Sequence, residues 1–342
     1  GLARPTMTSP ALNPLESWTK IMFELMTSFA TCVRMNTGAA GAWEAVSFEA
    51  DVWYADGLFH LFHTAMNVPF VVPANIGYAT SPDGINWTRT VDAPIFTVDG
   101  TGFDAALVTA PTVIKEDDTW VMYYGGKPTP PALPNGLVVG KATAPAPDGP
   151  WTRLGAPVLT TGNSGEWDSG FIFPNAVIPL RRGYMMYYSA GVDFLAGHNV
   201  MVGLAFSRDG LTWHKYNNPR TKDAPFVESD PVLTLGDAGS WDDLYIWEVD
   251  VLKIDRGWEM FYSGAGSNHS WSIGYAHSPN GIHWHKSPHN PILTPEDDLA
   301  ATSLIEVPSV VDVQGEHFMF YDYGVGGDGI GVAIEMFPGV SK

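Results

Sequence analysis

The sequence is poor in cysteine and in basic residues. Cys32 is the single cysteine among 342 residues, which excludes an internal disulfide and a cysteine-based zinc site. The 18 Lys and Arg residues stand against 37 Asp and Glu, so the net charge is −19. Because such a surface repels polyanions, we expect neither nucleic acid nor an anionic membrane as a partner. A neutral or cationic substrate is favoured.

Long apolar runs are also missing, and we expect no membrane-spanning helix because no stretch of about 18 apolar residues occurs. Residues 14–36 repeat apolar side chains at steps of three and four, which predicts an amphipathic helix in an N-terminal extension, 1–43. Glu16, Lys20 and Glu24 interrupt this segment, so we do not expect a signal peptide, and the compartment is left open. The helix is expected either to pack on the main domain or to form an arm that caps a site or joins a homodimer.

The abundant residues indicate strands and turns. The chain contains 36 Gly and 27 Pro, with 13% aromatic and only 16% charged residues. This mixture is typical of short strands joined by many loops. The 45% of hydrophobic residues supplies enough apolar material for a large core. We therefore predict an all-β domain.

One turn sequence occurs four times. Each copy contains Asp-Gly or Asn-Gly shortly before a Trp, and the copies cover 81–87, 146–151, 207–213 and 278–284. Their tryptophans stand 64, 62 and 71 residues apart. Asp-Gly and Asn-Gly supply the positive φ that a tight hairpin needs, so each copy is predicted to join two antiparallel strands.

Three further features recur in a fixed order around these turns. A strand similar to Ile-Gly-Tyr-Ala precedes the turn, at 76–79, 139–142, 202–205, 273–276 and 330–333. An aromatic strand end lies upstream of it, at 61–63, 122–124, 186–188, 260–262 and 319–321. A short apolar strand opened by proline follows the turn, at 94–96, 157–159, 231–233 and 291–293.

The repeated unit is a four-stranded sheet that is too small to bury both of its faces alone, which is typical of a propeller blade. Five units between residues 44 and 338 predict a five-bladed β-propeller. The last unit lacks its outer strand, and we expect a segment within 38–47 to fill that place and protect the edge.

The first strands of the blades line the axis, and three of them carry a glutamate at nearly one position. Glu49, Glu248 and Glu306 each stand 13 or 14 residues before an aromatic partner. They belong to blades 1, 4 and 5, which are consecutive in a closed ring, so we expect the three carboxylates to converge on one axial pocket. Asp51 and Asp250 follow two residues after their glutamates and face the same way.

Crowded carboxylates in an aromatic pocket have a chemical use. Desolvation and mutual repulsion separate their pKa values, so that one carboxyl stays protonated while another is ionised. Hydrolysis of a glycosidic bond requires such a pair. The residues expected to contact the substrate are Asp51, Asp250, Trp247, Asn175, His269 and Tyr321. An alternative interpretation is that the acids form salt bridges, cap loops or bind a structural cation around the axis.

We expect no cofactor, because the sequence contains neither a P-loop nor a His-Glu-x-x-His zinc motif. We expect no catalytic metal, and the sequence leaves open a structural Ca²⁺ in the axial channel.

With these turns and strands, residues 44–338 resemble the five-bladed propeller glycoside hydrolases, the superfamily of arabinanases, β-xylosidases, arabinofuranosidases, invertases and levansucrases. The resemblance implies a glycosidase acting on an oligosaccharide or glycoside. It implies that Glu49 is the base or nucleophile, since an acid occupies that place on the first strand of blade 1. It also implies that Glu306, in Glu306-Val-Pro, is the general acid. Thr112 and Asn175 depart from the pattern, because they stand where the family keeps acids in blades 2 and 3.

Two other functions stay open on the sequence. A propeller phosphorylase would need a cationic phosphate cradle, yet the candidates Lys127, Arg181 and Arg182 lie beyond second strands or in a hairpin. A non-catalytic carbohydrate-binding propeller would carry equivalent sites in every blade, whereas the acids here are confined to three. We assign Glu306 as the acid and Glu49 as the ionised partner. Glu248 either tunes the acid or holds sugar hydroxyls.

Overall fold

The structure, a computed structural model, describes residues 30–31, 43–67, 73–129, 135–193, 199–267, 269–297, 304–314, 316–324 and 329–335. Within these ranges the strands form five antiparallel sheets. The single helical element there is a 3₁₀ turn, Gly102–Asp104. None of the described segments is a helix that could cross a membrane. The all-β prediction is confirmed.

Each sheet is one blade of a five-bladed propeller, as predicted. The first strands are Val46–Ala55, Leu107–Glu116, Phe171–Leu180, Tyr245–Ile254 and Ile305–Val313. The second strands are Leu58–Met66, Thr119–Lys127, Gly183–Gly191, Gly257–Gly266 and Glu316–Tyr323. Every first strand contacts the first strands of the two neighbouring blades, and the last contacts the first. The blades therefore form a closed ring around an axis.

The third and fourth strands complete the blades outward. The third strands are Asn75–Ser81, Val138–Ala144, Met201–Ser207, His269–Ser278 and Gly329–Glu335. The fourth strands of blades 1 to 4 are Thr88–Arg89, Thr152–Arg153, Trp213–Lys215 and His285–Lys286.

The outer edge of each blade differs from the prediction. The fourth strand comes at or just after the Trp of the turn and pairs with the second half of the third strand, as Arg89 does with Ala79. The proline-opened segments pair with the first half instead, as Phe96 does with Ile76. In blade 3 this second piece is a short strand, Pro231–Leu233. Two short segments thus share the edge, because neither is long enough to cover it alone.

The N-terminal part of the chain closes the ring. Ala30–Thr31 pairs antiparallel with Gly329–Glu335 and supplies the fourth strand of blade 5. The closing segment was expected within 38–47, and the strand lies upstream of that range. The structure also corrects the predicted helix 14–36, because its residues 30–31 are a strand. The remainder of that helix, and the arm it was expected to form, lie outside the described residues.

Buried ion pairs hold the outer layers of three blades together. In blade 3 the fully buried Asp168 accepts hydrogen bonds from the Tyr188 hydroxyl at 3.4 Å and from the Lys215 ammonium at 2.6 Å. The same arrangement links Tyr124, Asp104 and Arg153 in blade 2, and Tyr262, Asp242 and Lys286 in blade 4. These aspartates precede first strands, while the cations come from fourth strands. One carboxylate therefore ties three layers of a blade.

Removing this carboxylate should destabilise the propeller. Asp168→Ala leaves the Lys215 ammonium and the Tyr188 hydroxyl without their acceptor, and breaking a buried pair costs about 3 kcal/mol. Thermal unfolding should show the loss as a lower Tm. Asp118→Ala, at an exposed turn, is the control and should change stability by less than about 0.5 kcal/mol. Equal Tm values for the two variants would contradict the structural role of Asp168.

Candidate active site

A pocket lies where the five first strands meet. Segments of all five blades line it, namely 49–51, 110–111, 174–175, 248–250 and 307–309. Four of the lining residues are acidic, and none of them is Lys, Arg or His. The described part of the pocket wall is therefore acidic and contains no basic side chain.

Each first strand bulges at this pocket. The pairing with the second strand is interrupted beside Glu49, Ala110, Asn175, Glu248 and Val307. At three of these residues the backbone is left-handed, with φ of 56° at Glu49, 46° at Ala110 and 57° at Val307. Such residues are uncommon and cost free energy, so surrounding contacts must hold them. The bulges turn side chains from the sheet into the pocket.

The register of the strands refines the predicted alignment of the glutamates. Phe48, Trp247 and Glu306 are equivalent, because they pair with second-strand residues that occupy one position of the repeat, Thr64, Ser263 and Asp322. Glu49 and Glu248 each follow one residue later, and Val307 takes that place in blade 5. Glu306 is therefore displaced by one residue from the other two, in agreement with its spacing of 14 rather than 13.

The structure nevertheless brings the three glutamates close enough to interact electrostatically. Glu49 and Glu248 line the pocket, whereas Glu306 is not among the lining residues. The negative charges of Glu49 and Glu306 both act on Glu248, and the charge of Glu49 acts on Glu306. Burial is the larger cause in each case, and it raises the pKa of Glu306 to about 7. Burial and the neighbouring carboxylates hold the pKa of Glu248 well above its usual range. The Glu248 side chain is buried, and its Oε2 has no hydrogen-bond partner among the described residues.

Glu49 has a different environment. Its Oε2 accepts hydrogen bonds from the Thr64 hydroxyl at 2.5 Å, from the Thr109 hydroxyl and from the Ala110 N–H at 2.8 Å. Burial raises the pKa of Glu49, whereas these three donors stabilise its charged form and oppose that rise. Of the three glutamates, Glu49 is the one whose carboxylate accepts the most hydrogen bonds from the described residues.

Asp51 and Asp250 line the pocket and also tie neighbouring blades. Asp51 accepts a hydrogen bond from the Val113 N–H of blade 2 at 2.8 Å, and Asp250 accepts one from the Val310 N–H of blade 5 at 2.6 Å. Burial raises the pKa of Asp250 to about 6. Burial and the charge of Asp250 raise that of Asp51 further. A contact of either aspartate with substrate stays a prediction.

The other predicted contact residues have different positions. Asn175 lines the pocket, and the Ser189 hydroxyl donates to its Oδ1 at 2.8 Å. Its amide Nδ2 has no hydrogen-bond partner among the described residues. Trp247 is 7% exposed and packs against Phe173 at a ring distance of 4.8 Å, which gives it a packing role. His269 begins the third strand of blade 4, and its side chain lies outside the described residues.

The prediction for Tyr321 is wrong. Tyr321 is fully buried in the core between blades 4 and 5, so it cannot reach a ligand in the pocket. It follows the same sequence pattern as Tyr124, Tyr188 and Tyr262, whose rings fill the cores of their blades. The aromatic strand end is thus a structural feature of the repeat.

Asp322 is a carboxylate of the site that the sequence reasoning missed. It is 2% exposed, and its Oδ2 accepts a hydrogen bond from the Glu49 N–H at 2.6 Å. Its signal was present in the repeat, because the residue after the aromatic strand end is Thr64, Gly125, Ser189 or Ser263 in the other blades. Only blade 5 has an acid there.

Comparisons with known proteins identify the fold. No family model matches the chain. Uncharacterized proteins from two strains of Mycobacterium tuberculosis are 24% identical over 238 residues, which cover 68% of this chain and 72% of theirs.

Solved structures match over nearly the whole chain. BT0996 in a complex with RGII and a glycoside hydrolase each superpose with a TM-score of 0.76 and 16% identity, covering 95% of this chain and 96% of theirs. A structure of the GH130 family of mannoside phosphorylases, which contains glycoside hydrolases that target β-1,2 mannosidic linkages in Candida mannan, has a TM-score of 0.63 and 16% identity, covering 90% of this chain and 94% of its own. The protein therefore has the fold of the five-bladed propeller glycoside hydrolases.

The raised pKa values predict how stability depends on pH. A carboxyl whose pKa is raised in the folded state stabilises the protein below its unfolded pKa, and this contribution is lost as the pH rises through the folded pKa. Between pH 7 and 8.5 the Tm should fall by a few degrees. His63, with a pKa lowered to about 4, affects stability only below about pH 6.5.

The variant Glu248→Gln tests the origin of this fall. It removes a carboxyl with a raised pKa, so its Tm should decrease less over the same window than that of the wild type. Glu296→Gln, in an exposed loop, should behave like the wild type. A Tm that rises between pH 7 and 8.5 in the wild type would contradict the protonated state of the axial carboxyls.

Proposed function

We propose that the protein is a glycoside hydrolase that cleaves a neutral glycan with the carboxylates of the axial pocket. The observation that carries the proposal is the contrast between Glu49, whose anion accepts three hydrogen bonds, and Glu306, whose pKa is raised to about 7. Glycosidic hydrolysis needs one ionised and one protonated carboxyl near the same bond. The fold shared with propeller glycoside hydrolases supports this reaction class.

Glu306 is the general acid in this proposal. A proton donor is most effective when its pKa lies near the working pH, and burial among carboxylates brings Glu306 to that range. It gives its proton to the glycosidic oxygen, so that the leaving group departs as a neutral alcohol.

Glu49 is the base or nucleophile. Its hydrogen bonds from Thr64, Thr109 and Ala110 fix the carboxylate and favour its charged form. Glu248 lies between the two roles. Because its pKa is raised well above the usual range, it acts as a neutral carboxyl that holds sugar hydroxyls and keeps negative charge away from Glu306.

The pocket wall favours a neutral substrate. A phosphate or an acidic sugar would enter among Glu49, Asp51, Glu248 and Asp250, and the lining residues include no cation to balance it. Lys127, Arg181 and Arg182 are not among those lining residues. This favours water over phosphate as the acceptor, and so a hydrolase over a phosphorylase. The contrast between Glu49, which accepts three hydrogen bonds, and Glu306, whose pKa is raised to about 7, favours catalysis over binding alone.

The variant Glu306→Gln tests the acid. It keeps the shape of the side chain but removes the proton, so hydrolysis of substrates with poor leaving groups should fall by about 10²–10⁴-fold. Activated aryl glycosides need less protonation and should be affected less. The measurement is a screen of arabinofuranoside, xyloside, fructoside, galactoside and mannoside substrates with wild type, Glu306→Gln and the exposed control Glu296→Gln. If Glu306→Gln hydrolyses natural substrates within about threefold of the wild-type rate, Glu306 is not the acid. Glu248 then takes that role, and Glu248→Gln tests it.

A product analysis tests hydrolysis against phosphorolysis. With the best aryl glycoside, added inorganic phosphate should leave the rate unchanged, and the product should be the free sugar without a sugar 1-phosphate. The corresponding aryl glucuronide should be a poor substrate, because its carboxylate would meet four acidic side chains and no basic one among the described residues of the pocket wall. Formation of sugar 1-phosphate would refute the hydrolase assignment.

A further inference from the structure

A hydrogen bond between neighbouring blades is repeated at the left-handed residues of the bulges. The Ala110 N–H donates to the Thr64 hydroxyl of blade 1 at 2.9 Å, and the Val307 N–H donates to the Ser263 hydroxyl of blade 4 at 2.7 Å. In both cases the acceptor stands on the second strand of the preceding blade. The Ala110 N–H also donates to Glu49 Oε2 at 2.8 Å, whereas at Val307 the Ser263 hydroxyl is the side-chain acceptor. The Val307 site shows that a hydroxyl can hold this backbone.

At the boundary between blades 2 and 3, both the acceptor side chain and the N–H donor of this hydrogen bond are missing. The acceptor position there is Gly125, which has no side chain, and the residue it would serve is Pro174, which has no N–H. At these boundaries the repeat places an acceptor where a left-handed residue offers an N–H, and none where proline removes it. Ser189, at the acceptor position of blade 3, instead donates to Asn175 of its own blade.

Asp322 occupies the acceptor position of blade 5 and serves the Glu49 N–H at 2.6 Å. The hydrogen bond requires only one oxygen, yet blade 5 has a carboxyl where blades 1 and 4 have hydroxyls. The side chain is 2% exposed, and its second oxygen, Oδ1, has no hydrogen-bond partner among the described residues. Burying a carboxyl costs much more than burying a hydroxyl, so the backbone contact alone does not account for it.

The groups that act on Asp322 are other carboxyls. Glu306 is its direct cross-strand partner on the first strand of blade 5. Glu49 from blade 1 and Glu248 from blade 4 interact with it electrostatically. Two carboxyls side by side in a desolvated site do not both ionise near neutral pH, so they hold a proton between them.

We propose that Asp322 is a positioning residue of the active site, which fixes the backbone of Glu49 and shares a proton with Glu306. This inference rests on the proposed function, because it assigns Asp322 to the acid and the base of that reaction. Burial and the charge of Glu306 raise the pKa of Asp322, and the second ionisation of such a pair belongs to both carboxyls together. Asp322 thereby extends the pH range over which Glu306 keeps its proton.

Two variants separate the two roles. Asp322→Asn keeps an acceptor for the Glu49 N–H but removes the titrating group. Asp322→Ser copies the hydroxyl that blades 1 and 4 use for the same contact. Ser263→Ala is the matched control, because it removes the equivalent hydrogen bond to Val307 without changing a charge. The readouts are the pH dependence of Tm between pH 6 and 9 and the pH profile of kcat/KM on the best aryl glycoside.

As the pH rises, both Asp322 variants should lose activity earlier than the wild type. The midpoint of the alkaline limb of their kcat/KM profile should be lower by about 0.5 pH unit or more. Their Tm should fall less between pH 6 and 9, because one fewer proton is lost from the folded state. Ser263→Ala should have a lower Tm at all pH values and an unchanged alkaline limb.

Asp322→Asn could have the same alkaline limb of kcat/KM and the same Tm slope as the wild type. That result would refute the proton shared with Glu306, and Asp322 would then be only the hydrogen-bond acceptor for the Glu49 N–H. The Tm measurement does not require enzymatic activity. If the wild type hydrolyses none of the glycosides while Asp322→Asn still flattens the Tm slope, the proposed function fails and the carboxyl pair stands. If the wild type hydrolyses a glycoside but Asp322→Asn has the same Tm slope as the wild type, the proposed function stands and the carboxyl pair fails.

Discussion

The structure depends on how the five first strands meet at the axis. Strands that converge there cannot keep a regular ladder with their own blade, and each of them bulges beside the pocket. A bulge leaves backbone N–H groups without a partner in the sheet, and a buried N–H without a partner is costly. The preceding blade supplies the acceptor, as Thr64 does for Ala110 and Ser263 for Val307. The ring is thus held by hydrogen bonds that cross from one blade to the next.

The same constraint produces the electrostatics of the pocket. Side chains that accept these cross-blade bonds are short and polar, and in three places they are aspartates, Asp51, Asp250 and Asp322. Together with Glu49, Glu248 and Glu306 they concentrate carboxyls in a buried space. Burial then opposes ionisation, and each charge that forms makes the next one harder to form. The described residues of the pocket wall include no cation that would offset this effect.

The repeat also separates architecture from chemistry. A buried cluster of a tyrosine, an aspartate and a cation recurs in blades 2 to 4. In blade 1 the corresponding cluster consists of His63, Glu44 and Arg89. Burial keeps His63 neutral, with a pKa lowered to about 4, so this substitution preserves a packed core. Where a repeat position changes to a buried acid near the axis, as at Asp322, the change adds a titratable group beside the site and no apolar packing. Deviations from the repeat are therefore most informative next to the axis.

The sequence by itself determined the blade count, the hairpin turns and the placement of Glu49 and Glu248 at the axis, because these depend on local turn chemistry and on a period that recurs along the chain. It did not determine the register at the bulges, which displaces Glu306 by one residue from Glu49 and Glu248, since a bulge is fixed by the convergence of five strands. It also assigned Tyr321 to the pocket, whereas only packing between blades decides that the ring is buried. Closure by Ala30–Thr31 and the contact of Asp322 with Glu49 were likewise decided by tertiary structure, because both join residues more than 270 positions apart.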